Sequence, residues 1–280
     1  MAENLEKAVS IQGYRGCFHE QAANIFWGKD TEMICCDNFR EVVSIAGNKK
    51  KSTGGVMAIE NSIAGSILPN YNLLKKSNLK IIGEVFLSIK QNLMVLPGTK
   101  LEDIKEVRSH PMALLQCADY LDKHNWKLVE SEDTALSAQK ISQNKLKTAA
   151  AIASEIAAEI YDMEIIAPEI NTMKRNYTRF LMLQRADMVK EIEDANKASI
   201  YFYTDHSKGS LAKVLTKIAE SGSNLSKLQS FPIPGSNWEY SFHADLEFEN
   251  IEDFHHALSA ITPISKNLKV YGIYKKGKTY

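Results

Sequence analysis

Asn176-Tyr177-Thr178-Arg179-Phe180-Leu181-Met182-Leu183 is the stretch on which the reading of this chain turns. The apolar run Phe180–Leu183 reads as a buried strand. Residues 176–180 place an amide, a phenol, a hydroxyl and a guanidinium at its mouth, where α/β proteins hold ligands. Taken alone, the same residues suit a turn equally well, since Asn and Thr are common in loops and Arg179 suits a solvated surface.

Upstream, apolar strands alternate with amphipathic helices. Ala8–Gln12 reads as a strand, and Gly13-Tyr14-Arg15-Gly16-Cys17 leads into a helix opening at Phe18. Strand, glycine loop and helix can aim backbone N–H groups at an anion. The spacing matches neither a dinucleotide fingerprint nor a P-loop, so a tight turn is the favoured reading. Phe39–Ala46 is helical, with Phe39, Val42, Val43 and Ala46 on one face. The strand Val56–Ile59 runs into Glu60-Asn61-Ser62-Ile63-Ala64-Gly65-Ser66, a second polar cluster at a strand end, which helix capping would also explain. Ile81–Ile89 and Asn92–Leu96 read as strands crossing between two lobes. Glu106–Ser109 is a strand, His110 a cap or packed side chain, and Pro111 the first residue of a helix. Strand and helix then alternate to Ala167, which predicts parallel βαβ units.

Downstream of Arg185 the pattern changes. Residues 186–197 are charged and weakly periodic, a linker. From Ala198 the order is strand, helix, strand, strand, helix, strand, with a Pro232–Gly235 turn between the middle strands, which predicts a ferredoxin-like sandwich. The expected organisation is a catalytic domain over residues 8–185 and a smaller α+β domain over residues 198–276.

Composition bounds the function classes. Lys+Arg and Asp+Glu both number 34, so no net charge points to a nucleic-acid or membrane surface. The N-terminal Met1–Lys7 segment lacks a signal-peptide pattern, and no apolar run is long enough to span a membrane. The expectation is a cytoplasmic protein with free thiols, because Cys17, Cys35, Cys36 and Cys117 show no zinc or redox spacing. All six arginines lie at or before Arg185, which places any bidentate carboxylate recognition in the N-terminal part.

Four blocks in order resemble the prephenate dehydratase family with a C-terminal ACT regulatory domain, over nearly the whole chain. They are Gly13–Glu20, Ile59–Ser66, Ser109–Cys117 and Asn176–Phe180. The resemblance resolves the opening stretch in favour of a site. It implies an α/β catalytic domain of two lobes, like a type II periplasmic-binding protein, with the active site in the cleft. It implies conversion of prephenate to phenylpyruvate, carbon dioxide and water, without metal or cofactor. Aromatisation supplies the driving force, so the protein has only to position the substrate and assist the leaving hydroxyl. The resemblance makes Thr178 the donor to that hydroxyl. Asn61, Ser62, Ser109 and Gln116 correspond to pocket positions. Arg179 is expected to orient Thr178 or hold a carboxylate, with a structural ion pair as the alternative. Glu60 is a candidate second acid, for which a structural role is favoured.

In the tail, Gly209-Ser210-Leu211-Ala212 and Asn224-Leu225 resemble the effector-binding blocks. They imply feedback inhibition by phenylalanine and a homodimer or homotetramer. The chain departs from the family pattern at Tyr14, Cys17, His19, Gln229 and Phe231. Arogenate dehydratase and a non-catalytic small-molecule sensor on the same fold are the competing readings. A fused chorismate mutase is not expected, because only a handful of residues precede the first strand.

Overall fold

The computed structural model describes residues 8–233, 235–236 and 239–280. Met1–Lys7 and Pro234 of the expected turn lie outside the described residues. The chain divides into two compact units. One holds the described residues up to Asn78 with Val85–Leu183 and Lys278–Tyr280, and the other holds Leu79–Glu84 with Gln184–Gly277.

In chain order the first part runs β1 (Ala8–Gln12), α1 (Phe18–Trp27), β2 (Glu32–Cys36), α2 (Phe39–Ala46), β3 (Gly54–Asn61), β4 (Gly65–Ser66), α3 (Leu68–Lys76) and β5 (Leu79–Ser88). Then come β6 (Asn92–Val95), β7 (Glu106–Ser109), α4 (Pro111–Gln116), α5 (Ala118–Leu121), β8 (Lys127–Glu130), α6 (Thr134–Asn144), β9 (Ala149–Ala153), α7 (Glu155–Ile160), β10 (Glu164–Ala167) and β11 (Tyr177–Arg185). They form two lobes. One is built on the sheet β2-β1-β3-β11-β5, with β4 on β3, and the other on β10-β6-β9-β7-β8. The chain crosses between lobes after β5 and again after β10.

The alternation up to Ala167 gives the expected parallel units, and only the crossing strands run against them. β1 runs parallel to β2 and β3, and β7 runs parallel to β8 and β9. β11 is antiparallel to β3, and β6 is antiparallel to β9 and β10. β6 and β11 are the strands that arrive from the other lobe. They enter their sheets from the end opposite to a helical crossover, and so reverse direction.

Local chemistry sets the helix starts. Asn38 accepts from Glu41 N (3.0 Å), Asp133 from Leu136 N (2.9 Å) and Ser154 from Ala157 N (3.1 Å), each satisfying an otherwise unpaired first-turn donor. His110 caps α4 by accepting from Met112 N at 3.2 Å, the capping role expected of it. α2 buries Val42 and Ala46 against the first sheet.

The second unit continues with β12 (Lys197–Tyr203), α8 (Ser210–Glu220), β13 (Asn224–Pro232), β14 (Tyr240–Glu247), α9 (Ile251–Ile261) and β15 (Lys266–Tyr274). Its antiparallel sheet has the order β13-β14-β12-β15, the expected βαββαβ sandwich. Ala198, Ile200, Phe202, Ala244 and Leu246 on the sheet meet Val214, Ile218, Phe254, Ala257 and Ile261 on the helices. Strand alternation puts Ser199, His243 and Asp245 on the other face, where they too are buried. Lys197 Nζ meets Glu84 Oε1 at 2.9 Å, with both side chains inside this unit and almost wholly buried.

Candidate active site

β3 and β11 pair so that Asn61 lies opposite Thr178. This one register position brings the second and fourth sequence blocks together. Asn61 Nδ2 donates to Thr178 Oγ1 at 3.0 Å and to Asn176 Oδ1 at 2.8 Å. Asn176, buried completely, donates from Nδ2 to Gln116 Oε1 at 3.0 Å. Hydrogen bonds therefore join Gln116, Asn176, Asn61 and Thr178, with the Asn61 amide donating toward both ends. Such chains polarise one another.

The valences define what each member can do. Asn61 Oδ1 accepts from the backbone N–H groups of Ile63 and Ala64, both at 2.9 Å. Its carboxamide is thus spent on the protein. Thr178 Oγ1 receives a hydrogen bond and keeps its own proton to give, and Gln116 keeps its amide donor. Thr178, Gln116 and Asn61 all line a cavity of about 360 Å³ between the lobes. Phe18, Phe39, Ile89, Met112, Ala113 and Phe180 supply its apolar surface.

The remaining expected site residues fall elsewhere. Ser109 is fully buried and donates to Ile152 O at 2.6 Å, joining β7 to β9. Ser62 Oγ accepts from Tyr177 N at 2.9 Å and extends the β3–β11 pairing outside the cavity. Arg179 alternates to the opposite face from Thr178 and Phe180. Its guanidinium lies 5.8 Å from the Phe86 ring centroid, and it does not line the cavity. Glu60 stands in register with Arg179, also off the cavity wall. None of these four lines the cavity.

The glycine loop closes the lobes. Gly16 N donates to Glu20 Oε2 at 2.6 Å, and Arg15 pairs with Glu20 Oε1, so the loop's anion is the chain's own carboxylate. Ser154 Oγ donates to Gly16 O at 2.5 Å, and Tyr161 Oη to Arg15 O at 2.9 Å, both from the other lobe. A Cβ on Gly16 would stand 2.8 Å from Ala157 Cα, so glycine is needed for that approach. This is the tight-turn reading, with a lobe contact added.

Two of the departures from the family pattern, Cys17 and His19, line the cleft. Cys17 is buried, and burial with the neighbouring Asp133 charge pushes its thiol well up, keeping it protonated. The His19 ring sits edge-on to Phe39 and Phe180, with centroids 5.3 and 5.0 Å away. Burial pushes its pKa down to about 3, so it is neutral near pH 7. Asp133, in the same wall, has its carboxyl pushed up by burial. Among the described lining residues there is no Lys or Arg. Among the described residues no cluster of three or more His, Cys, Asp or Glu side chains is placed to hold a metal.

Asn176 has no role legible from the sequence alone. Its central place in the hydrogen-bond chain depends on a crossing strand and a helix from the other lobe. In the second unit, Gly209 adopts φ +77° ahead of α8, and Ser210 Oγ donates to Thr204 Oγ1 at 3.2 Å. Leu211 packs against the sandwich core, Ala212 follows in α8, and Asn224 and Leu225 open β13.

Comparison with known proteins places this geometry. A family model described as prephenate dehydratase matches residues 9–188. Arogenate dehydratase/prephenate dehydratase 2, chloroplastic, of Arabidopsis thaliana is 35% identical over 276 residues, covering 95% of this chain and 72% of that protein. The prephenate dehydratase of Arthrobacter aurescens, solved in complex with L-Phe, superposes with a TM-score of 0.84 at 26% identity, covering 96% and 90% of the two chains. A structure described as GqqA, a quorum quenching acylase, superposes with a TM-score of 0.87 at 25% identity, covering 96% and 98%.

Proposed function

Since the chain belongs to the prephenate dehydratase family, we propose that it converts prephenate to phenylpyruvate, carbon dioxide and water at the inter-lobe cleft. The observation that carries this is the Asn61 to Thr178 hydrogen bond inside the cavity. With Oγ1 already accepting, Thr178 directs its O–H at a substrate oxygen. As the ring hydroxyl departs, charge grows on that oxygen and the hydrogen bond strengthens, which favours the transition state over bound substrate. Loss of the ring carboxylate as carbon dioxide supplies the electron pair that expels the hydroxyl, and the ring becomes aromatic. Nothing in this step calls for a metal or redox group.

Arogenate is the second candidate substrate, because the Arabidopsis relative carries both activities in its name. The acylase likeness is weaker support for another chemistry. Acyl transfer to Cys17 would need a thiolate, and its surroundings hold the proton on.

The βαββαβ unit is read as an ACT domain that binds phenylalanine near Gly209–Ala212 and Asn224–Leu225. Its topology and the L-Phe complex of the Arthrobacter aurescens relative support this. The reading includes feedback inhibition, assembly as a homodimer or homotetramer and residence in the cytoplasm. Among the described residues no helix is long and apolar enough to cross a membrane. The experiment is phenylpyruvate formation from prephenate by the purified chain, with and without phenylalanine. Turnover suppressed by phenylalanine supports both parts, turnover indifferent to it removes the effector reading, and no turnover of prephenate or arogenate overturns the dehydratase reading.

A further inference from the structure

Asp133 and Thr178 reach the cleft from opposite lobes and line the same cavity. The two carboxylate oxygens of Asp133 are used differently. Oδ1 accepts from Leu136 N at 2.9 Å and caps α6. Oδ2 is turned across the lobe boundary onto Gly13, where a Cβ would stand 2.7 Å from it and 3.3 Å from Cys17 Sγ. Gly13 has no side chain to donate, and its N–H is given to Cys36 O at 2.9 Å. The Cys17 thiol donates to Gln12 O at 3.5 Å. Gly13 and Cys17 thus spend their protons away from Oδ2, and Gln12 and Cys17 line the cavity beside it.

The charge of the wall points to the kind of donor that suits this oxygen. Asp133 and Glu132 both line it, and among the described lining residues there is no Lys or Arg. Its histidines add no positive charge. Burial keeps His19 neutral near pH 7, and His110 accepts from Met112 N on Nδ1, as only an unprotonated ring nitrogen can. A carboxylate in a buried wall is stabilised by a cation and disfavoured by another anion. Prephenate offers two carboxylates and a ketone, whereas arogenate carries an ammonium in place of the ketone. The span fits as well. Thr178 lies on β11 and Gly13 just past β1, the two strands that flank β3, so two strand spacings, roughly 10 Å, separate them across the sheet. The leaving hydroxyl and the side chain sit at opposite ends of the substrate ring, so a substrate bonded to Thr178 at one end reaches across that span with the other.

We infer that Asp133 is a specificity-determining residue that accepts the ammonium of arogenate, so that the cleft turns over arogenate in preference to prephenate. The inference rests on the dehydratase reading of the same cleft and ranks its two candidate substrates. A hydrogen bond between charged partners is worth a factor of about 10 to 100 in binding.

The test measures kcat/KM for arogenate and for prephenate with wild type, Asp133→Asn and Asp133→Ser, with thermal unfolding in parallel. Asparagine and serine both keep a cap on α6 and remove the charge. Wild type should favour arogenate by about 10-fold or more. Both variants should lower kcat/KM for arogenate about 10- to 100-fold, mainly through KM, and should raise it for prephenate, whose carboxylates then meet a less negative wall. A wild type that does not favour arogenate overturns the inference and leaves the dehydratase standing. So do variants that lose the same factor on both substrates, which makes Asp133 a helix cap alone. A wild type that turns over neither prephenate nor arogenate overturns both readings.

Discussion

The cleft wall and the buried polar face of the C-terminal sheet are both lined with hydrogen-bonded side chains, yet they spend their valences differently. In the sheet, Ser199 Oγ donates to Asp245 Oδ1 at 2.6 Å and lies 2.7 Å from Tyr274 Oη, while His243 Nε2 stands 3.2 Å from the same Asp245 oxygen. The Asp245 carboxylate there is held by protein partners, as Glu84 is held by Lys197. In the cleft, the chain through Asn176 and Asn61 ends at Thr178, whose proton is left to give, and the Gln91 side-chain oxygen has no hydrogen-bond partner among the described residues. Residue types are similar in the two places. A closed network contributes to the fold, whereas an open end pointed into a cavity is available to a ligand.

Breaking the closed side should be felt in stability. Lys197→Met leaves Glu84 buried without its ammonium, and should lower unfolding stability by about 3–5 kcal/mol while turnover per folded molecule stays near wild type. Chemical denaturation alongside an initial-rate assay checks this, and an unaltered denaturation midpoint would show the pair to be dispensable.

Breaking the open side should be felt in rate. Asn176→Leu interrupts the relay to Thr178, and should cost about 100-fold in kcat. Stability should fall by only about 1–3 kcal/mol, for the amide partners left unpaired. Turnover within about twofold of wild type would show that Thr178 needs no support from behind.

The pH response sharpens the contrast through His19. Its folded pKa near 3 lies below its ordinary 6.5, so the unfolded chain binds more protons between those values. Its contribution to stability is therefore complete above about pH 6.5 and is lost as pH falls toward 3. His19→Gln should flatten that loss by roughly a few kcal/mol. Equal pH slopes for the two proteins in denaturant titrations would contradict the burial account. The smallest effect belongs to Ser199→Ala, which should cost about 1–2 kcal/mol of stability and leave basal kcat unchanged. A drop in basal kcat would mean that the sheet network reaches the chemistry.

Much of the architecture was legible in the residues. Apolar runs marked the strands, and His110 with Pro111 marked the start of α4, because those signals are local. The reversed strands β6 and β11 were not, since direction depends on which lobe the chain comes from. Within the site, Thr178 and Gln116 were legible as polar residues in motif-bearing blocks. Ser62, Ser109 and Arg179 have the same polar character, but their side chains are turned to neighbouring strands or to the opposite sheet face. Gln91 had no signal, because a single glutamine between two strands looks like any other until it is found in the cavity wall.

The most direct test of the account sets kcat for Thr178→Ala and Thr178→Ser against wild type, with prephenate as substrate. Thr178→Ser keeps the donor and should stay within about tenfold of wild type, while Thr178→Ala should fall by about a factor of 1000 or more with its fold intact. An alanine variant turning over within about tenfold of wild type would contradict Thr178 as the donor to the leaving hydroxyl.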